Sequence, residues 1–325
     1  MKVQASPNIA FIKYWGKLSE NGDENRNLAT NPSLSMTLSK ATTMCEVRAL
    51  SSTQTSSVFI QDASASSNDF LKVTDHLKRV CAYLNAPLNT AFEVNSHNNF
   101  PQGTGLASSA SAFASLTLAG IGALVGQEEL ARLMIRAPHE LSALARRGSG
   151  SACRSMGGPY MKWDGAYAET FDAPYKLKDT ILIFSQQHKK IPSSEGHKSA
   201  QSSPTFGSRL KKLPARILAV EEALRARSLN KLGPLLEEEA LELHHIARSG
   251  TPSITYLNAE SQRLIEYLKT IKQRDFFFTL DAGPNVHLIS ETDILPEIQD
   301  VLAKTRLKCE IWQDEQGFGP SILGT

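Results

Sequence analysis

From Phe100 to Gln127 the chain carries no Asp, Glu, Lys or Arg. An uncharged stretch of this length has to be buried, either in a bilayer or in the core of a domain. Ser, Thr and Gly interrupt it too often for a membrane span, and small residues let a helix pack closely on its neighbours, so a buried core helix is expected. The stretch opens with Pro101 to Ala112, PQGTGLASSASA, after the alternating segment Phe92-Glu93-Val94-Asn95-Ser96, which reads as a strand. A glycine-rich turn at the mouth of a helix aims unpaired N–H groups at one point, where the helix dipole favours negative charge. Gly103 and Gly105 would let backbone approach an anion, and Ser108 and Ser109 would add hydroxyls for phosphate oxygens or a magnesium ion. No Gly-Lys-Ser/Thr follows and the spacing is not GxGxxG. The residues alone therefore leave two readings open, a phosphate cradle and a Gly/Ser loop leading into a core helix.

The rest of the chain narrows the class. Its 325 residues, 41% hydrophobic and 21% charged, are enough for two ordinary domains with substantial cores. A formal charge of +2 without a clustered basic face argues against a nucleic-acid surface. Four scattered cysteines with no CxxC pair indicate neither a zinc site nor a disulfide framework, which fits a reduced cytosol, and no apolar signal-peptide core follows Lys2. The histidines lack HExxH spacing, and His244 and His245 read as helix surface or core.

In order, Ser6 to Lys17 reads as a strand running into a basic loop; Lys13 and Lys17 would share one side if the segment were a helical turn, and could then meet a polyanion together. Strands are expected at 43–50 and 57–61, a helix over 69–84, and a helix over 127–145 broken at Pro138. A second Gly/Ser loop, Arg146 to Arg154, carries arginine, the side chain best shaped for planar anions. Further strands are expected over 158–171 and 180–186, and Lys189 to Thr205 reads as a loop, linker or lid. Helices over 208–247 and 256–272 precede a Phe-rich strand, 275–280, that ends in Asp281-Ala282-Gly283-Pro284-Asn285. Strands at 286–290 and 307–312 flank a helix over 293–305. Strands and helices in non-alternating order imply an α+β fold, divided here into 1–185 and 186–325.

Four segments together carry a resemblance: Lys13-Tyr14-Trp15-Gly16-Lys17, Asn98 through Ala110, Gly148-Ser149-Gly150-Ser151-Ala152-Cys153-Arg154-Ser155, and Asp281 to Asn285. In this order the chain resembles the mevalonate diphosphate decarboxylases of the small-molecule (GHMP) kinase superfamily. The resemblance implies an N-terminal domain like that of ribosomal protein S5, a ferredoxin-like C-terminal layer, an active site between them, ATP, magnesium and a homodimer. It also implies roles. Asp281, Lys13 and Arg154 match catalytic positions, with Arg154 on the substrate carboxylate. Tyr14, Lys17, Ser149, Ser151 and Ser194 match substrate-binding positions. Ser96, Asn98, Gly103, Gly105, Leu106, Ala107, Ser108 and Ser109 match the nucleotide site, with Ser109 at the metal.

The chemistry gives that assignment a reason. A 3-hydroxy acid losing CO2 has no β-keto group to take the electrons, so a leaving group on C3 is needed, and phosphorylation by ATP supplies one. Asp281 would orient or deprotonate the C3 hydroxyl, and Lys13 beside it would offset charge on the transferred phosphoryl. A C3 kinase acting on mevalonate or its monophosphate, and a non-catalytic nucleotide-binding protein, are the alternatives. One departure from the family pattern SSTxGM or SSRxGM stands at Ser193-Ser194-Glu195-Gly196-His197, one residue short, where Glu195 would repel a diphosphate. Either Glu195 points away, or Lys198 and Lys190 compensate, or the substrate has fewer phosphates.

Overall fold

Residues 1–19, 21–51, 53–100, 108–185 and 193–323 are described by a computed structural model. The first part of the chain forms β1 (Lys2–Ala5), β2 (Asn8–Ile12), β3 (Ser33–Thr37), β4 (Thr43–Leu50), β5 (Ser57–Ile60), β6 (Ala63–Ser64), α1 (Ser67–Tyr83), β7 (Ala91–Asn98), α2 (Ser108–Val125), α3 (Gln127–Arg136) and α4 (Pro138–Gly148). A 3-10 turn at Gly150–Ser155 follows, then β8 (Tyr160–Asp164), β9 (Tyr167–Thr170), β10 (Lys178–Ile183), α5 (Ser193–Ala200), α6 (Phe206–Arg225) and α7 (Leu229–Ser249). The chain ends with α8 (Ala259–Thr270), β11 (Phe276–Thr279), β12 (Val286–Ser290), α9 (Leu295–Thr305), β13 (Glu310–Glu315) and β14 (Ser321–Leu323).

These strands build a six-stranded sheet, β14-β1-β4-β7-β5-β6, and two four-stranded sheets, β2-β3-β8-β9 and β11-β12-β10-β13. Only β5 and β7 pair in parallel among the described strands, so the α+β expectation holds. The two ends of the chain cross over. Strand β10 pairs with β12 and β13, and β14 returns to pair with β1.

Helix α2 is the uncharged stretch, and its packing explains its composition. It is long and apolar enough to cross a membrane, yet 61% of it is buried inside the fold. Its small side chains Ala110, Ser111, Ala114, Ser115 and Ala119 are fully buried, and Ser111 Oγ lies 2.6 Å from Thr43 Oγ1 of β4. The core here is Val47, Leu77, Val80, Val94 and Leu118, between the large sheet and α1 and α2. Ser66 caps α1 by accepting the Asp69 N–H at 3.2 Å. Pro138 begins α4 rather than kinking one long helix, because an N1 proline loses no intrahelical bond.

A second core, including Phe11, Leu34, Met36, Ile181, Val220, Leu232 and Leu236, joins the smaller sheets to α6 and α7. Between α6 and α7 lies a buried ionic cluster. Arg209 Nη1 contacts Glu239 Oε2 and Glu242 Oε2, both at 2.9 Å, and Arg216 Nη1 contacts Glu242 Oε2 at 2.6 Å. Burial pushes the Glu239 carboxyl up, but Arg209, Arg216 and the Lys13 N–H outweigh it and hold the carboxyl below its ordinary range.

The loop expected from Lys189 to Thr205 is corrected in part, since Ser193–Ala200 is helix α5. Tertiary packing overrides its poor helix propensity. A Cβ on Gly196 would stand 2.3 Å from Tyr256 Oη and 2.4 Å from the Trp15 ring, so only glycine allows α5 to seat there.

Candidate active site

Strand β2 is buried along its whole length and delivers Lys13 to the centre of the molecule. The Lys13 backbone is gripped at both polar groups. Its N–H donates to Glu239 Oε1 at 2.8 Å, and its carbonyl accepts from Asn31 Nδ2 at 3.0 Å and Arg209 Nη2 at 3.2 Å. The ammonium donates to Ala10 O at 2.6 Å and to Asp281 Oδ1 at 2.9 Å. Asp281 follows β11, and its backbone carbonyl lies 3.1 Å from His244 Nε2. Burial, and then Lys13 and Arg248, push His244 down to about 4 against the pull of Asp281. His244 is therefore neutral at pH 7 and donates to that carbonyl, so it touches the site rather than merely filling core.

As the strand-then-loop reading has it, the segment after β2 is a loop and not a helical turn, so the two lysines are not paired by helical spacing although both line one cavity. Lys13 turns to Asp281, whereas Lys17 Nζ donates to Asn27 Oδ1 at 2.5 Å. Gly16 has φ +90°, and a Cβ there would lie 2.6 Å from the Phe206 ring, so the turn between the two lysines requires glycine.

Arg154 lies in the 3-10 turn and is only 3% exposed. Its Nε donates to Asn8 Oδ1 at 3.3 Å and Ser35 Oγ at 3.2 Å, and its Nη1 to Ser33 Oγ. Trp163 lies beneath it at 5.7 Å. Among the described residues no carboxylate forms an ion pair with it, and burial lowers the guanidinium pKa. A buried cation whose described partners are neutral acceptors is poised for an incoming anion.

Lys13, Tyr14, Lys17, Ser149, Ser151, Arg154, Ser194 and Asp281 line one cavity of about 680 Å³, together with Ser96, Asn98, Ser108 and Ser109. Gly103, Gly105, Leu106 and Ala107 lie outside the described residues, as does Lys190. The two Gly/Ser loops meet, with Ser149 Oγ donating to Ser109 Oγ at 3.3 Å. Asn98 is also tied down structurally, since its Oδ1 accepts from Thr43 Oγ1 at 2.7 Å. Glu195 is exposed and paired with Lys198 at 3.1 Å, outside the cavity lining, so its charge is turned away and compensated.

Sequence reasoning missed several lining groups. Val58, Ile60, Val94, Phe113 and Leu116 form an apolar slot at one end, with Asp69 and Lys72 of α1 at its edge. The alternation of β5 and β7 was the available signal for that slot. The alternating Ser- and Thr-rich stretch Leu28 to Leu38 reads as a strand or loop that displays hydroxyls, and two of them, Ser33 and Ser35, surround Arg154, whereas Asn8 beside them, Glu239 behind Lys13 and His197 beside Tyr14 carry no local signature.

Among the described residues no group of three or more His, Cys, Asp and Glu side chains could hold a metal. Magnesium retains waters and takes one or two protein oxygens besides phosphate oxygens. The exposed Ser109 hydroxyl, beside Ser149 at the mouth of α2, fits that mode of binding.

Residues 5–171 match the family model for the diphosphomevalonate decarboxylase-like N-terminal domain, and residues 180–317 that for the mevalonate 5-diphosphate decarboxylase C-terminal domain. The chain is 32% identical to a diphosphomevalonate decarboxylase of Candida albicans over 312 residues, covering 87% of this chain and 82% of that protein. It is 30% identical to that of Saccharomyces cerevisiae over 323 residues, covering 88% and 76%. The mevalonate diphosphate decarboxylase of Staphylococcus aureus superposes with a TM-score of 0.87 at 28% identity, covering 99% and 97%. The protein described as MDDEF, in complex with MVAPP, AMPPCP and magnesium, superposes with a TM-score of 0.86 at 28% identity, covering 100% and 98%. With both parts of the chain matched, and relatives of 30% identity or more aligned over most of its length, this chain belongs to the diphosphomevalonate decarboxylase family.

Proposed function

We propose that the chain decarboxylates mevalonate 5-diphosphate at the expense of ATP, giving isopentenyl diphosphate, ADP, phosphate and CO2. The observation that carries this reading is Arg154, a buried guanidinium without a carboxylate partner among the described residues, opening on the same cavity as the Lys13–Asp281 pair. Arg154 binds the substrate carboxylate, while Tyr14, Lys17, Ser149, Ser151 and Ser194 hold the diphosphate. Asp281 accepts the C3 hydroxyl proton as that oxygen attacks the γ-phosphate of ATP. Lys13, held at 2.9 Å from Asp281, keeps the carboxylate oriented and offsets charge on the transferred phosphoryl. The C3–O bond then breaks, phosphate leaves with its electron pair, and the C1–C2 bond breaks so that its electrons form the alkene as CO2 departs.

The apolar slot takes the adenine, Ser96 and Asn98 stand near the nucleoside, and the loop through Gly103, Gly105, Leu106, Ala107, Ser108 and Ser109 takes the phosphates. Ser109 would help hold a magnesium ion, which would supply charge neutralisation on the transferring group. We also propose a division near 1–185 and 186–325, with β10 lent to the second sheet by the first segment. A cytoplasmic homodimer is proposed as its setting. Light scattering near twice 35.5 kDa tests the assembly.

The direct test is product stoichiometry on mevalonate diphosphate. One CO2 per ADP is expected, with mevalonate 5-phosphate turned over far more slowly. ADP without CO2 would mean a kinase, and no substrate-dependent ATP turnover would mean a non-catalytic protein.

A further inference from the structure

Helix α5 places His197 face to face with Tyr14, ring centroids 4.1 Å apart, and against Trp15 at 4.8 Å. Its Nδ1 accepts the Gly16 N–H at 3.1 Å. The ring is 7% exposed and lines the cavity. Its second nitrogen, Nε2, has no hydrogen-bond partner among the described residues and is not among the enclosed polar atoms. Burial, and then Lys17 and Arg154, push His197 down to about 3, so the ring is neutral at pH 7. A neutral imidazole carries one proton, and with Nδ1 accepting, that proton is on Nε2.

We propose that His197 is a specificity-determining donor, whose Nε2–H hydrogen-bonds the terminal phosphate of the substrate in the part of the cavity framed by Tyr14, Lys17 and Ser194. This inference rests on the proposed substrate being a diphosphate. The Gly16 N–H sets the tautomer, and the Tyr14 and Trp15 rings set the tilt, so the donor is oriented before the ligand arrives. Lys17 brings charge to the same group, whereas His197 brings direction. Tyr14, Trp15, Lys17 and Arg154 are the neighbours that hold or face the ring. Glu195 and Lys198 pair with each other on the exposed side of α5.

Two variants separate the two ring nitrogens. His197→Asn retains an acceptor for the Gly16 N–H but loses the distal donor, and His197→Gln retains a donor near the position of Nε2. A lost hydrogen bond to a charged group raises KM for mevalonate diphosphate roughly tenfold or more in His197→Asn. In that variant kcat should stay within about twofold and KM for ATP unchanged, and His197→Gln should recover most of the loss. Equal defects in both variants, or an equal rise in KM for ATP, would overturn the proposal. A second measurement needs neither variant nor turnover. In wild type labelled with 15N-histidine, saturation with inorganic pyrophosphate should move the proton-bearing Nε2 resonance of His197 and leave Nδ1 nearly still. An unmoved Nε2 resonance sinks the donor role. A shifted resonance in an enzyme that does not consume mevalonate diphosphate would sink the proposed reaction and leave the donor standing.

Discussion

Replacing Arg154 by Met separates two consequences of a buried charge that usually arrive together. The guanidinium is 3% exposed and, among the described residues, donates to Asn8, Ser33 and Ser35. Because no described carboxylate pairs with it, its removal strands no buried anion. The free protein should keep its melting temperature within about 1.5 °C, the shift of roughly 1 kcal/mol in a chain of this size. The substrate complex is different, since there the substrate carboxylate would be left without its cation. Breaking a buried pair costs about 3–5 kcal/mol, or roughly 10²–10⁴ in affinity for mevalonate diphosphate. A coupled ADP assay reads the rise in KM, and thermal shift reads the loss of stabilisation by mevalonate diphosphate with stabilisation by ATP retained. A KM within about threefold of wild type, or a free protein many degrees less stable, would refute the reasoning.

Lys13→Met removes the partner of Asp281 and should lower kcat roughly 10²–10³-fold, read in single-turnover kinetics, with nucleotide binding preserved. Glu239→Gln keeps an acceptor for the Lys13 N–H but removes the anion shared by Arg209 and Arg216. Chemical denaturation should show a loss of about 3–5 kcal/mol. The buried histidines set an acid limit. His76 and His197 are pushed down to about 3 and His244 to about 4, chiefly by burial. Their folded pKa values lie below the unfolded value near 6.5, so the unfolded chain binds more protons between those limits. Stability is full above about pH 6.5 and falls with pH below it, by roughly 1.4 kcal/mol per pH unit for each histidine, as denaturation at pH 5 and pH 7 would show.

What could be read from the chain alone was whatever is local. The core helix announced itself by twenty-odd uncharged residues, while Lys13, Arg154 and Asp281 stand in short segments whose proposed roles came only from the resemblance that all four segments carry together. Burial and cross-chain pairing had no such signature. Asn8 looks like an ordinary strand residue, and the hydroxyls displayed at Ser33 and Ser35 have no visible target, until β2, β3 and the 3-10 turn bring them around one guanidinium. Glu239 reads as one more acid on a charged helix, yet it reaches across 226 residues to the Lys13 N–H. Helix α5 read as loop because Ser and Gly disfavour helix, and it forms through contacts with Trp15 and Tyr256 that no window of sequence contains. His197 was hidden with it.

In the proposed reaction Asp281, paired with Lys13 at 2.9 Å, is the carboxylate that activates the C3 hydroxyl. The most direct test is CO2 and ADP release from mevalonate diphosphate and ATP by wild type and by Asp281→Asn, which keeps the shape and loses the base. Equal, stoichiometric CO2 and ADP from wild type with hardly any of either from the variant is the predicted result. Equal activity in the two proteins would contradict it.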